Sequence, residues 1–243
     1  MAQATLFLPR AAAEGTRVAC DDAVAGLVTE VAGIVADPAV TEQDIVRALW
    51  RGLLAACAAT RLPALSAETR LTFGPGQGYA ALPADMQYGP TDAFLLPGRG
   101  RVRLLSDLAA LRRAERFSAR GPVRFAAAGG GRLYVRPVPV TVVTIEVGYF
   151  RLPDPLAGPA DKPACLPPHL VGPLLVGFAC RELFERLEEG AEGKKTQTSA
   201  YGARFDAALA ELVGLYGPAM MQDEPVAVPV APGYPSVFGE DWP

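Results

Sequence analysis

The hydrophobic period of this chain changes twice, and that limits the folds open to it more than any single motif does. From Asp21 to Thr60, apolar residues recur three and four positions apart, the spacing of one helical face. From Glu68 to Phe150 they alternate, as half-buried strands require, and from Pro167 to Tyr216 the helical spacing returns. Strands bracketed by helices, rather than alternating with them, predict an α+β fold. A bundle of about four helices (20–36, 41–60, 167–189 and 199–216) then carries an inserted, mostly antiparallel β-sheet domain.

The helices carry their own boundary signals. Asp21 and Asp22 fall in the first turn of the first helix, where carboxylates complement the helix dipole. Thr41 followed three residues later by Asp44 has the form of a capping box, with Asp in place of the usual Glu. Ile45, Leu49, Leu53 and Cys57 then define one face, and Pro63 ends the element. Pro167 and Pro168 suit the start of the third helix, whereas Pro173 inside it predicts a kink or a later start.

The middle reads as strands and turns. Gly74-Pro-Gly-Gln-Gly78 between two short alternating runs predicts a hairpin. It is not a phosphate loop, because no GK[ST] and no helix follow. Arg101–Leu105 alternates as a strand, Ser106 is placed to cap a short helix over 107–116, and Ala128-Gly-Gly-Gly131 predicts a second hairpin. Thr141–Phe150 is rich enough in β-branched and aromatic residues to be a central strand.

Charge divides the chain as well. The net charge is −3, yet residues 99–136 hold 10 basic and 2 acidic side chains, while residues 217–243 hold none and 4. The basic stretch is a handle for something negative, or it pairs with acidic faces of the same fold or of neighbouring subunits. Residues 217–243 also contain six prolines and spaced apolar anchors, among them Tyr234, Phe238 and Trp242, which fits an extended arm that docks on a surface. The division predicted is an N-terminal arm (1–19), a helical body (20–67 and 151–216), the inserted β domain (68–150) and a C-terminal arm (217–243).

Chemistry is thinly represented. His169 is the only histidine, and beside two prolines at a helix start it suits a surface or capping role. No metal-ligand, nucleophile-elbow or paired-carboxylate motif appears, so neither cofactor nor catalytic residue is expected. Cys20, Cys57, Cys165 and Cys180 are widely spaced, which predicts free thiols in a reducing compartment. No run of eighteen uninterrupted apolar residues and no signal-peptide pattern is present, so a soluble protein made in the cytoplasm is expected.

Several short motifs in fixed order resemble the head-to-tail connector (adaptor) proteins of tailed bacteriophages. They are Leu71-Thr72-Phe73 with Tyr79 and Leu82-Pro83-Ala84-Asp85, then Leu133-Tyr134 with Pro137, then Gly148-Tyr149-Phe150-Arg151, and last the Leu166-Pro-Pro-His-Leu170 helix start. The resemblance covers about residues 20–217. The Gly- and Pro-containing helix around Gly172-Pro173, the N-terminal arm and the acidic tail depart from it. It implies a non-enzymatic virion protein of the neck, assembled as a homo-oligomeric ring of twelve copies. Its partners would be the portal protein, tail or nozzle proteins and, nonspecifically, genomic DNA in the lumen. Arg99, Arg101 and Arg103 are then candidates for lumen or inter-subunit contacts, and Tyr234, Phe238 and Trp242 for partner docking. Another neck, tail-completion or decoration protein is the alternative reading.

Overall fold

The computed structural model describes residues 23–98, 100–114, 119–188 and 195–219. Helix α1 (Val24–Val35) buries Val24, Leu27, Val31 and Val35 and ends at Ala36, whose left-handed backbone (φ 48°) lets its N–H reach Ala32 O. Asp21 and Asp22 lie outside the described residues. Helix α2 (Glu42–Ala59) opens with the expected capping box: Thr41 Oγ1 accepts from Asp44 N–H at 3.3 Å, and Asp44 Oδ2 accepts from Thr41 N–H at 3.2 Å.

Helix α4 (Pro168–Leu187) starts at Pro168 and continues through Pro173, so the later start predicted from Pro173 does not occur. Leu170, Val171, Leu174 and Leu175 are all buried there, and burial of this apolar face outweighs one missing backbone donor. Helix α5 (Thr196–Tyr216) begins three residues before the predicted Ser199. The carboxylate of Glu188 accepts from Thr198 Oγ1 at 2.7 Å and from the N–H groups of Gln197 and Thr198, completing that first turn. Glycines let the helices meet closely. A Cβ at Gly52 would come 3.0 Å from Phe178 Cβ, and one at Gly177 would come 3.3 Å from Phe205 N. Helix α4 therefore packs against α2 on one side and α5 on the other, around a core that includes Leu49, Leu53, Leu174, Leu175, Leu183 and Leu212.

The strands β1 (Ser66–Phe73), β2 (Tyr79–Ala81), β3 (Met86–Leu96), β4 (Gly100–Arg101), β5 (Arg103–Leu104), β6 (Phe125–Gly129), β7 (Arg132–Arg136) and β8 (Val143–Arg151) form two four-stranded sheets, with a short helix α3 (Leu108–Ala114) between β5 and β6. The first has the order β1-β8-β3-β4 and the second β2-β7-β6-β5. Every pairing is antiparallel except β5 with β6. Leu71, Phe73, Ala93, Ile145 and Val147 of the first sheet face Ala126, Leu133 and Val135 of the second, making a core of their own. The α+β architecture with an inserted, mostly antiparallel β region is thus as predicted.

Three local expectations change. The Gly74–Gly78 segment is not a hairpin turn, because β1 pairs with β8 while β2 pairs with β7. It carries the chain from one sheet to the other, held by Gln77, whose side chain accepts from Gly74 N–H and donates to Tyr79 O. Arg101–Leu105 is likewise two short strands in different sheets, joined at buried Val102. The cap of α3 is Asp107, which accepts from Ala110 N–H at 2.6 Å, whereas Ser106 donates to Asp107. The second predicted hairpin is present: Gly130 and Gly131, at φ 56° and 70°, make the two-residue turn between β6 and β7. Strand β8 is central, as expected, with β1 and β3 on either side.

Two stability outcomes follow from this packing. Leu175→Ala, at a fully buried position of the helical core, should lower unfolding free energy by about 2–5 kcal/mol in chemical denaturation. Thr41→Ala removes the α2 cap and should cost about 1 kcal/mol. The hydrogen bonds from Thr41 hold the Asp44 carboxyl below its ordinary value. A depressed carboxylate stabilises the fold above its unfolded-state pKa and loses that contribution as pH falls through the folded value. The difference between wild type and Thr41→Ala should therefore shrink in melts taken below about pH 4.

Candidate interaction surfaces

The alternation of each strand sends one set of side chains into the sheet core and the other outward. On the first sheet, the outward set includes Glu68, Arg70, Asp92, Phe94 and Glu146, with Arg101 opposite Phe94. Two of its three carboxylates are engaged locally: Glu146 pairs with Arg70 at 3.1 Å, and Asp92 accepts from Gly148 N–H at 2.9 Å. Between them lies a shallow depression of about 150 Å³.

The outward face of the second sheet has a different chemistry. Tyr79 lies opposite Tyr134 with ring centroids 5.8 Å apart, and the Arg132 guanidinium sits 4.9 Å from the Tyr79 ring centre. Arg136, on the same side of β7, is 6% exposed and donates to Val135 O at 2.7 Å. Burial, and secondarily the nearby charge of Arg112, pulls its guanidinium below its ordinary pKa. Helix α3 packs on β6, where a Cβ at Gly129 would meet Leu108 at 2.9 Å, and its Arg112 and Arg113 are exposed. Tyr79 is 47% exposed, and Val140 and Val142, in the loop before β8, are 57% and 64% exposed. That loop meets the segment leading into β2 through Gly76 N–H donating to Pro139 O at 2.8 Å.

The candidate residues fare differently. Arg101 and Arg103 are both exposed, but Val102 N–H donates to Ala93 O and Arg103 N–H to Arg124 O, so the two arginines belong to different sheets. Arg99, Tyr234, Phe238 and Trp242 lie outside the described residues. Sequence reasoning passed over Arg132 and Tyr79, although the order Arg132-Leu-Tyr-Val-Arg136 already puts Arg132, Tyr134 and Arg136 on one face of a strand.

At the start of the C-terminal segment, Thr60 donates its hydroxyl proton to Gly217 O, and Ala219 N–H donates to Ala59 O at 3.0 Å. Residues 217–219 are thereby tied to the end of α2. Nearby, Tyr88 OH donates to Ala58 O at 2.7 Å, so this tie lies where the helices meet the first sheet. His169 is exposed and lies 3.3 Å from Glu211, a contact between α4 and α5.

Cys57 and Cys180 are buried free thiols, as their helix positions implied, and Cys165 is half-buried. Burial pushes Cys180 up to about 12. A hydrogen bond with Cys165 and burial push Cys57 up as well. Among the described residues, no three His, Cys, Asp or Glu side chains are placed to hold a metal ion, and no helix is long and apolar enough to cross a membrane.

A family model for the SU10 adaptor protein matches residues 22–230, so both the helical core and the two sheets fall within it. The chain belongs to the SU10 adaptor protein family. No curated protein matches it. Membership makes it a phage adaptor protein, of a family whose members act with other phage structural proteins.

Thr60 is 1% exposed, so Thr60→Val leaves the Gly217 carbonyl without its partner and should cost about 1–3 kcal/mol in chemical denaturation. Cys57 and Cys180 should react with a maleimide at pH 8 at least about tenfold more slowly than half-buried Cys165, read by peptide mass analysis of the native protein.

Proposed function

We propose that this protein is a head-to-tail adaptor subunit that joins the portal to the tail as part of a ring of twelve copies around the DNA passage. The observation that carries this reading is the family match across 22–230, since the family is named for adaptors and the match takes in both cores. The character of the surfaces supports it. The described depressions are shallow, whereas the outer sheet faces offer charged and aromatic side chains for contact. Closed rings require heterologous contacts, in which two different surfaces of each subunit meet, and two sheets with unlike outer faces provide such a pair.

In this reading the helical body (20–67 and 151–216) forms the ring wall and the inserted β region (68–150) faces a neighbour. The arms (1–19 and 217–243) dock on portal and tail or nozzle proteins, with Tyr234, Phe238 and Trp242 as anchors. Arg99, Arg101 and Arg103 contact either DNA phosphates in the lumen or an adjoining subunit. Turnover, metal and cofactor play no part in it. The alternative, another neck, tail-completion or decoration protein, shares the adaptor chemistry and differs in position within the virion.

Deletion of the gene tests the reading. It should leave heads that are filled or leaking and that lack tails, and normal tailed particles would contradict it. Truncation after Gly217 should leave both cores folded, because their residues end at Leu212, while weakening ring or portal attachment. Equal incorporation of the truncated chain into necks would show that the arm is dispensable.

A further inference from the structure

The outer face of the second sheet carries positive charge beside exposed aromatic surface. Strands β2, β5, β6 and β7 and helix α3 contain no Asp or Glu. The face nevertheless presents exposed Arg132, with Arg112 and Arg113 on the helix laid across it. The carboxylate at the start of α3, Asp107, is already held by Ala110 N–H. The same face is also aromatic, with Tyr79 half exposed, and the neighbouring loop that carries exposed Val140 and Val142 is tied through Pro139 O to Gly76, ahead of β2.

We propose that this face is the docking site for residues 220–243 of this chain. The proposal rests on the reading of the C-terminal segment as a docking arm and adds the surface that receives it. Charge complementarity is the first argument. The segment carries Asp223, Glu224, Glu240 and Asp241 and no cationic side chain. The pairing of charge with apolar groups is the second. Exposed ion pairs alone contribute little, so a dock of this kind also needs apolar anchors. The segment supplies Val226, Val228, Val230, Tyr234, Phe238 and Trp242, the last two flanking Glu240 and Asp241. Reach is the third. From Ala219 the 24 remaining residues span up to ~80 Å when extended, enough to cross the β region of the same or an adjacent copy.

A nucleic-acid backbone fits the face less well. Phosphates have no use for two valines more than half exposed, and residues 99–136 contain no lysine, the other residue that commonly meets phosphate. The cationic charge here is all arginine, set beside tyrosines, which suits carboxylates and aromatic rings.

Trp50 and Trp242 are the only tryptophans, so full-length Trp50→Phe leaves Trp242 as sole fluorophore. Docking predicts a blue-shifted emission and an acrylamide quenching constant about threefold or more below that of the same chain in 6 M guanidinium. Adding Arg112→Glu and Arg132→Glu should abolish the protection, as should raising salt from about 50 mM to 1 M. Glu68→Lys, on the outer face of the other sheet, should leave it intact. Should Trp50→Phe disturb α2, 5-fluorotryptophan in the unsubstituted chain reports the same change as movement of one of two ¹⁹F resonances. Protection that survives the arginine reversals would overturn this dock while sparing the arm reading. Full exposure of Trp242 in every variant would also overturn it. So would a 30-bp DNA duplex that binds through Arg112 and Arg132 while Trp242 stays protected, because the face would then serve nucleic acid.

Discussion

Strand β8 holds the two halves of this protein in one arrangement. Its Ile145 and Val147 lie in the core between the sheets, its Phe150 packs against the helical core, and β1 and β3 flank it along its length. At its C-terminal end, the hydroxyl of buried Tyr149 points at Asp85, and Arg151 makes a two-pronged pair with Asp154 at 2.7 and 3.1 Å. Burial, and then the Asp85 charge, raises the tyrosine above its ordinary pKa, and the Asp154 pair raises Arg151. Each half has an apolar core, and the rigid strand between them fixes where the outer sheet faces point relative to the helices.

Much of this was legible in the sequence because the signals are local. The Thr41–Asp44 cap, the Gly130-Gly131 turn and the apolar stripe of α2 each involve residues within one or two turns of each other. The sheet crossings were not legible. A Gly-rich turn between two alternating runs looks the same whether the runs pair with each other or with distant strands, and β1 pairs with residues 143–150. Strand β3 was missed because Gly89-Pro90 interrupts it. Its register with β8 slips between Tyr88 and Asp92, and that irregularity accommodates a residue with no N–H to donate.

The candidate surfaces were half legible for a related reason. The charge count singled out residues 99–136, but linear neighbours such as Arg101 and Arg103 end up on different sheets. The residues that do meet come from two strands distant in sequence, Tyr79 from β2 and Arg132 and Tyr134 from β7. Sheet pairing, which composition cannot supply, made that face. Membership of the SU10 adaptor family gives these surfaces their context, since the family implies interaction with other phage structural proteins.

The central claim concerns position in the particle, and a cryo-electron microscopy map of the virion tests it most directly. The account predicts density for this chain as a twelve-fold ring between portal and tail, with the helical core continuous around the DNA passage and the β region against a neighbouring protein. Density in a single copy, or at a site away from the neck, would contradict it.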